Sequence, residues 1–83
     1  HGGPNTCYGF SFYHEFQLLA AQCYVVLYTN PRGSTSYGRT FGQAVHGHWG
    51  DGDYADLMAG VDTVIAQGFI DPQRLGILGG SYG

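Results

Sequence analysis

The last five residues of the chain, Gly79-Gly80-Ser81-Tyr82-Gly83, have the pattern Gly-x-Ser-x-Gly and directly follow an apolar run. A serine on a sharp turn between a strand and a helix is held in a strained conformation with its hydroxyl exposed. Glycine two residues before and two residues after the serine relieves crowding, and the next backbone N–H faces the oxygen that becomes charged when a carbonyl is attacked. We call residues 79–83 the elbow. It predicts Ser81 as a nucleophile, Tyr82 N–H as an oxyanion donor, and Gly79 and Gly83 as turn glycines.

A second glycine-rich motif, His1-Gly2-Gly3-Pro4, lies at the other end of the chain, and we call it the oxyanion loop. Loops of this kind, well before the nucleophile, supply the second backbone donor to the oxyanion in some hydrolases. The N–H of Gly3 is the predicted donor. Each motif alone is weak because the chain has 15 glycines in 83 residues. Together, with a helix, a strand and a helix between them, they form a specific pattern.

The acidic segment at residues 50–56 favours a structural interpretation over a binding site. Residues 50–55 fit the pattern Gly-x-Gly-x-x-Ala, but no strand precedes them, so a dinucleotide site is not expected. Asp51, Asp53 and Asp56 resemble a calcium loop only loosely. Their positions predict instead that Asp51 or Asp53 caps a helix and that the others lie in its first turn.

Histidine and cysteine residues show no metal-binding spacing. His46 and His48 lack a convincing third ligand, and Cys7 and Cys23 lie 16 positions apart without a paired motif. The two cysteines are predicted to be small apolar core residues, and Trp49 is predicted to anchor packing. Neither a metal nor another cofactor is expected.

Hydrophobic periodicity predicts the elements that hold these motifs. Apolar residues at helical spacing predict one helix at residues 14–22 and another from about residue 53 to residue 67, ended by Gly68. The unbroken apolar runs at residues 24–29 and 75–78 are typical of strands covered on both faces. Strand, crossover helix and strand predict an α/β fold with a parallel sheet and a right-handed βαβ unit.

Residues 30–52 are rich in turn-forming amino acids and predict a long loop with a short helical turn around residues 39–45. Aromatic residues near the amino end are expected in the core and in the wall of a pocket. They are Tyr8, Phe10, Phe12, Tyr13 and Phe16.

Composition limits the classes of partner. A chain of 83 residues is small for a single domain, and charged residues make up 11% of it, against about 25% in typical soluble domains. Three basic residues and a net charge of −3 make nucleic acid an unexpected partner. No apolar run is long enough to span a membrane, no signal peptide is visible, and a cytoplasmic location is expected.

Several segments together resemble the prolyl oligopeptidase family, in particular its acylaminoacyl-peptidase-like branch, over essentially all 83 residues. The Asn30-Pro31-Arg32-Gly33-Ser34 segment distinguishes this branch from lipases and esterases better than the elbow does. Asn5, Cys23 and Ser36 depart from the family, in which histidine is frequent at the first position and glycine at the other two. The resemblance is carried by residues 1–4, 27–35, 49–50, 53–54, 71–76 and 79–83.

The resemblance implies part of an α/β-hydrolase catalytic domain, from the oxyanion loop to the elbow, in a family that commonly has an N-terminal β-propeller. It implies a serine peptidase that cuts short peptides through an acyl-enzyme on Ser81, with the N–H groups of Gly3 and Tyr82 as the oxyanion hole. Arg32 is expected to order the active-site loop through a charge-assisted hydrogen bond. The aspartate and histidine of the triad are expected after Ser81, beyond these residues.

Two alternatives remain open at this point. An esterase or acyl hydrolase of the same fold would share the elbow and the oxyanion loop, and a non-catalytic hydrolase-like binding module would share the fold alone. The serine in an intact motif argues against the second. The isolated 83 residues are predicted to be inactive and marginally folded, because two strands would leave sheet edges and helix faces uncovered.

Overall fold

Three helices joined by long loops form the chain in a computed structural model that describes all 83 residues. Helix α1 spans His14–Ala21, α2 spans Arg39–Gln43 and α3 spans Gly52–Ile65. The two long predicted helices are thus confirmed to within two residues at each end, and the helical turn after residue 39 is confirmed as α2. The helices do not pack against one another, so loops provide the contacts that hold the chain together.

The prediction of a parallel sheet with a βαβ crossover is wrong for this chain, because the structure contains no β-strand. The two apolar runs, residues 24–29 and 75–78, have no regular secondary structure. The amides of residues 25–29 and 75–79 donate to no backbone carbonyl. Residue types suited to a strand are insufficient, since a strand also needs a hydrogen-bonded neighbour about 4.8 Å away. The two runs do not pair, and a sheet of two short strands alone would be marginal.

The apolar runs leave large side chains on the surface. Val25 is 58% exposed and Ile77 is 93% exposed, whereas Val45 is the only buried hydrophobic residue. The accessible surface is 6400 Å², against about 4,900 Å² for a folded monomer of this mass. A chain with 43% hydrophobic residues therefore builds almost no hydrophobic core from its own residues.

Cys23 and Ser36 adopt left-handed backbone conformations, with φ of 67° and 79°. Glycine adopts such angles with less strain than other residues, which gives a physical reason for the glycines that the resemblance associates with both positions. Cys23 follows the end of α1, where its N–H donates to the carbonyl of Ala20 at 3.0 Å. The predicted core position of Cys7 and Cys23 is wrong, because both thiols are free and exposed.

Both ends of helix α3 carry the residues that were predicted there. Gly68 has φ of 89° and donates its N–H to the carbonyl of Ile65, which closes the last turn. Asp51 occupies the N-cap position and Asp53 lies in the first turn, as predicted, although the Asp51 side chain makes no capping hydrogen bond. With 14 residues α3 is the longest helix, and no helix of the chain has the length and apolarity needed to cross a membrane.

Candidate active site

Ser81 lies in a tight turn at the carboxyl end and has φ of 60°. A left-handed conformation at a residue other than glycine costs about 1–3 kcal/mol, and it persists only where the surrounding structure enforces it. The turn is closed by the N–H of Gly83, which donates to the carbonyl of Gly80 at 3.0 Å. A Cβ atom on Gly79 would overlap the carbonyl group of Gly83. The bend therefore requires glycine at position 79.

The oxyanion loop lies directly against the elbow. A Cβ atom placed on Gly2 would lie 3.6 Å from Cβ of Ser81 and 3.5 Å from the carbonyl oxygen of Gly80. The N–H groups of Gly3 and Tyr82 donate no hydrogen bond within the chain. The structure thus places two motifs from opposite ends of the sequence side by side, with both predicted donor amides free.

His1 holds the oxyanion loop to a buried serine. Its Nε2 lies 2.8 Å from the hydroxyl of Ser34, which is fully buried. Because that hydroxyl donates to the carbonyl of Pro31 at 2.7 Å, His1 Nε2 is the donor to Ser34. The hydroxyl of Thr6 donates to the carbonyl of Gly2 at 3.1 Å. The oxyanion loop is therefore held at His1 and at the carbonyl of Gly2.

The Asn30–Ser34 segment, which we call the NPRGS segment, organises the loops around the glycine pair. The side chain of Asn30 accepts from the N–H of Tyr8 and donates to its carbonyl, both at 2.8 Å. Asn5 donates from Nδ2 to the carbonyl of Gly33 at 3.0 Å. Residue types alone did not indicate either contact, although asparagine next to proline at a turn is a frequent side-chain-to-backbone donor and acceptor.

Arg32 attaches the NPRGS segment to α3. Its Nε and Nη2 atoms donate to the two carboxylate oxygens of Asp56 at 2.9 and 2.8 Å, and its backbone N–H donates to the same carboxylate at 2.9 Å. The guanidinium hydrogen bond lowers the pKa of Asp56. A Cβ on Gly52 would lie 2.7 Å from Arg32 Cδ, so the absence of a side chain there makes room for the arginine. This bidentate geometry suits the loop-ordering role predicted for Arg32.

Asp53 attaches the elbow to the same helix. Its side chain is buried, Oδ1 accepts from the N–H groups of Gly50 and Tyr54 at 2.9 and 3.0 Å, and Oδ2 accepts from the hydroxyl of Tyr82. The Tyr82 hydrogen bond lowers the pKa of Asp53, while burial and then this hydrogen bond raise the pKa of Tyr82 to about 12. The ring of Trp49 lies at an edge-to-face angle to that of Tyr82, with centroids 5.0 Å apart, but Trp49 is 64% exposed and does not anchor a core.

Sequence reasoning placed Asp53 and Asp56 only at the cap or in the first turn of a helix and missed their contacts with the elbow and with Arg32. One signal was available. The two residues lie three positions apart, and residues at this spacing share one face of a helix.

An aromatic cluster lines a cavity of about 200 Å³ next to His1. Tyr8 contacts the rings of Tyr13 and Phe16 edge-on, so the predicted pocket wall is confirmed for these three residues. It is wrong for Phe10 and Phe12, which are 109% and 75% exposed.

No three His, Cys, Asp or Glu side chains lie in an arrangement that could hold a metal ion. His46 lies on a wide groove that also contains Asn5 and Arg39.

Comparison with known proteins identifies the family. A model of the prolyl oligopeptidase family matches residues 10–83. Over the whole chain the identity is 55% with the uncharacterized peptidase YuxL of Bacillus subtilis, 39% with dipeptidyl aminopeptidase BIII of Pseudoxanthomonas mexicana, and 37% with acylamino-acid-releasing enzyme 1 of Oryza sativa. The chain spans 13%, 12% and 11% of the lengths of these proteins, respectively. It belongs to the prolyl oligopeptidase family, as its motifs predicted.

Proposed function

We propose that the chain is the segment of a serine peptidase that carries the nucleophile and the oxyanion donors. The main support is the position of Gly2 against Ser81, with the N–H groups of Gly3 and Tyr82 free of other partners. Two amide donors beside a serine hydroxyl are the arrangement that stabilises a tetrahedral intermediate in acyl transfer.

In the proposed reaction, Oγ of Ser81 attacks the carbonyl carbon of a peptide bond and its proton passes to a histidine that the resemblance places after Ser81. The carbonyl oxygen becomes an oxyanion and accepts hydrogen bonds from Gly3 and Tyr82. Collapse of the intermediate expels the amine, which takes the proton from the histidine, and leaves an acyl-enzyme that water then hydrolyses.

We infer that the 83 residues act within a longer protein. The relatives are several times longer than the chain, and the exposed apolar runs offer surface that further residues could cover. The β-propeller that is common in the family stays a prediction.

Short peptides are the proposed substrates. The names of the relatives refer to the release of acylated amino acids and to dipeptidyl peptidases. The full-length protein should therefore be assayed with N-acyl-aminoacyl amides and with dipeptidyl amides, and with short acyl esters for comparison.

Substitution of the nucleophile tests the proposal. In the full-length protein, Ser81→Ala should lower kcat by roughly 10⁶-fold, to background, because loss of the nucleophile alone has an effect of that size in serine peptidases. It should also abolish labelling by a fluorophosphonate while substrate still binds. Thr63→Ala, which removes an exposed hydroxyl from α3, is the matched control and should retain full activity.

Three outcomes would contradict the proposal. Turnover that survives Ser81→Ala would exclude Ser81 as the nucleophile. Hydrolysis of esters without any hydrolysis of amides would favour the esterase. Absence of both turnover and labelling in the unmodified protein would favour a binding module.

A further inference from the structure

Asp53 makes a contact that the proposed reaction does not itself require. The residue is only 5% exposed, and the partners of its carboxylate are two backbone amides and the hydroxyl of Tyr82. A buried carboxylate is costly unless hydrogen bonds satisfy it. Here three donors satisfy it, and one of them belongs to the residue next to Ser81.

Tyr82 contributes to the candidate site through its backbone and binds Asp53 through its side chain. Its backbone N–H is the proposed oxyanion donor, and its side chain runs to Asp53 with the ring of Trp49 packed against it. A tyrosine ring fixed at its hydroxyl and at its edge has little freedom to rotate, which restricts the backbone that carries it. The strained φ of 60° at Ser81 needs such a restraint in order to persist.

The same helix also holds the other side of the site. Asp56, one turn after Asp53, binds Arg32 of the NPRGS segment. Ser34 of that segment accepts the hydrogen bond from His1 of the oxyanion loop. Two carboxylates on one face of α3 thus connect to the two motifs of the candidate site. Asp53 binds the elbow directly, and Asp56 reaches the oxyanion loop through the NPRGS segment.

We propose that Asp53 is a positioning residue: by holding the Tyr82 hydroxyl, it keeps Ser81 and the Tyr82 N–H aligned with Gly3. This inference rests on the proposed function. Misplacement of reacting groups by about 1 Å can cost about 100-fold in rate. Because the alignment matters most in the transition state, its loss lowers kcat and leaves KM nearly unchanged.

The test uses the full-length protein with Asp53→Ala, Tyr82→Phe and the double variant. The control is Asp62→Ala, at an exposed residue of the same helix. We expect each single variant to lower kcat by about 10- to 100-fold, with KM changed less than about twofold. The rate of fluorophosphonate labelling should fall in parallel. The double variant should lose no more than the larger single loss, because both changes remove the same contact. Asp62→Ala should match the unmodified protein.

A purely structural role would give a different pattern. If Asp53→Ala lowered the melting temperature but left kcat and the labelling rate of the folded protein at the control values, the positioning role would be overturned. Should Asp53→Ala not fold, Tyr82→Phe decides alone, since it removes one hydroxyl and keeps the ring, and an unchanged kcat would overturn the role.

Ser81→Ala, measured in parallel, separates this inference from the proposed function. Residual turnover in that variant would overturn both. An inactive Ser81→Ala beside Asp53 and Tyr82 variants of normal kcat would overturn the positioning role only.

Discussion

The polar corner of the molecule, formed by the oxyanion loop, the NPRGS segment and the elbow, differs sharply from the two apolar runs. In the corner, Pro31, Gly33 and Ser34 are buried and side-chain hydrogen bonds link segments distant in sequence. In the apolar runs, large side chains face solvent and the backbone makes almost no hydrogen bonds. The chain thus builds the geometry of its site from its own residues but does not build the support beneath it.

Magnitudes explain why this difference matters for stability. A typical hydrogen bond contributes about 0.5–1.5 kcal/mol net, whereas full burial of one valine, leucine or isoleucine contributes about 1.5–3 kcal/mol. Most of the hydrophobic stabilisation that residues such as Ile77 could supply is therefore unrealised in these 83 residues.

The largest expected effect is on the isolated chain. Purified alone, the 83 residues should show no peptidase turnover and only marginal folding, because the apolar runs have no cover and the triad partners are expected beyond Ser81. Binding of a hydrophobic dye and a broad thermal transition would support this expectation. Measurable turnover by the purified 83-residue chain would contradict it.

The next largest effect is a difference in activity between a variant in the elbow and a variant in the apolar run that precedes it. In the full-length protein, Gly79→Ala should reduce kcat at least about 100-fold, because its Cβ would overlap Gly83 and displace Ser81. Gly76→Ala is the comparison variant within the second apolar run, where a Cβ would meet no atom of these 83 residues within 4 Å. Equal activities of the two variants would show that the elbow does not need its tight bend.

A smaller effect compares two ion pairs. Arg32→Ala removes a bidentate pair that anchors the NPRGS segment, whereas Arg74→Ala removes a pair whose arginine is 83% exposed. In the full-length protein we expect the first to lower the melting temperature by about 1–2 °C, since the Arg32 side chain is itself 44% exposed. The second should leave it unchanged, because the more exposed pair contributes less. A larger drop in melting temperature for Arg74→Ala than for Arg32→Ala would contradict the proposal that the Arg32 pair anchors the polar corner.

The smallest effect is on pH dependence. The hydrogen bond from Arg32 lowers the pKa of Asp56, so its contribution to stability is present above the unfolded value of about 3.9 and is lost as the pH falls through the lower folded value. The difference in melting temperature between the unmodified protein and Asp56→Asn should be largest at neutral pH and should shrink on acidification below about pH 4. A difference that grows in acid would contradict the geometry of this pair.

Tyr82 has the opposite pH dependence. Because burial and the bond to Asp53 raise its pKa to about 12, it favours the folded state below the unfolded value of about 10, and this contribution disappears as the pH rises from about 10 to about 12. Tyr82→Phe should therefore flatten the loss of stability in alkali. An unchanged alkaline profile would indicate that the Tyr82 hydroxyl is not held by Asp53.

Local features of the fold were predictable from the sequence. Helices α1 and α3 and the turn at Gly68 depend mainly on residues close in sequence, and the structure contains all three as predicted. The sheet was not predictable in the same way, because residues 24–29 carry strand-forming types but a strand also depends on which segments lie beside it. The predicted burial of the two cysteines was wrong for a related reason, since a small apolar residue is buried only where a core exists.

The candidate site was predictable where chemistry constrains the residue type. The serine and glycine motifs could be read directly, and the family that they indicated is confirmed. The contacts of the supporting carboxylates could not be predicted, because the helix dipole favours an aspartate in the first turn of any helix. Only the three-dimensional structure shows that Asp53 binds Tyr82 and that Asp56 binds Arg32.

The most direct test of the central claim is a crystal structure of the full-length protein after reaction with a fluorophosphonate. We predict a phosphonyl group bonded to Oγ of Ser81, with one of its oxygens about 2.7–3.1 Å from the backbone nitrogens of both Gly3 and Tyr82. An adduct on another residue, or an adduct on Ser81 whose oxygen lies beyond hydrogen-bond distance of both amides, would contradict the account.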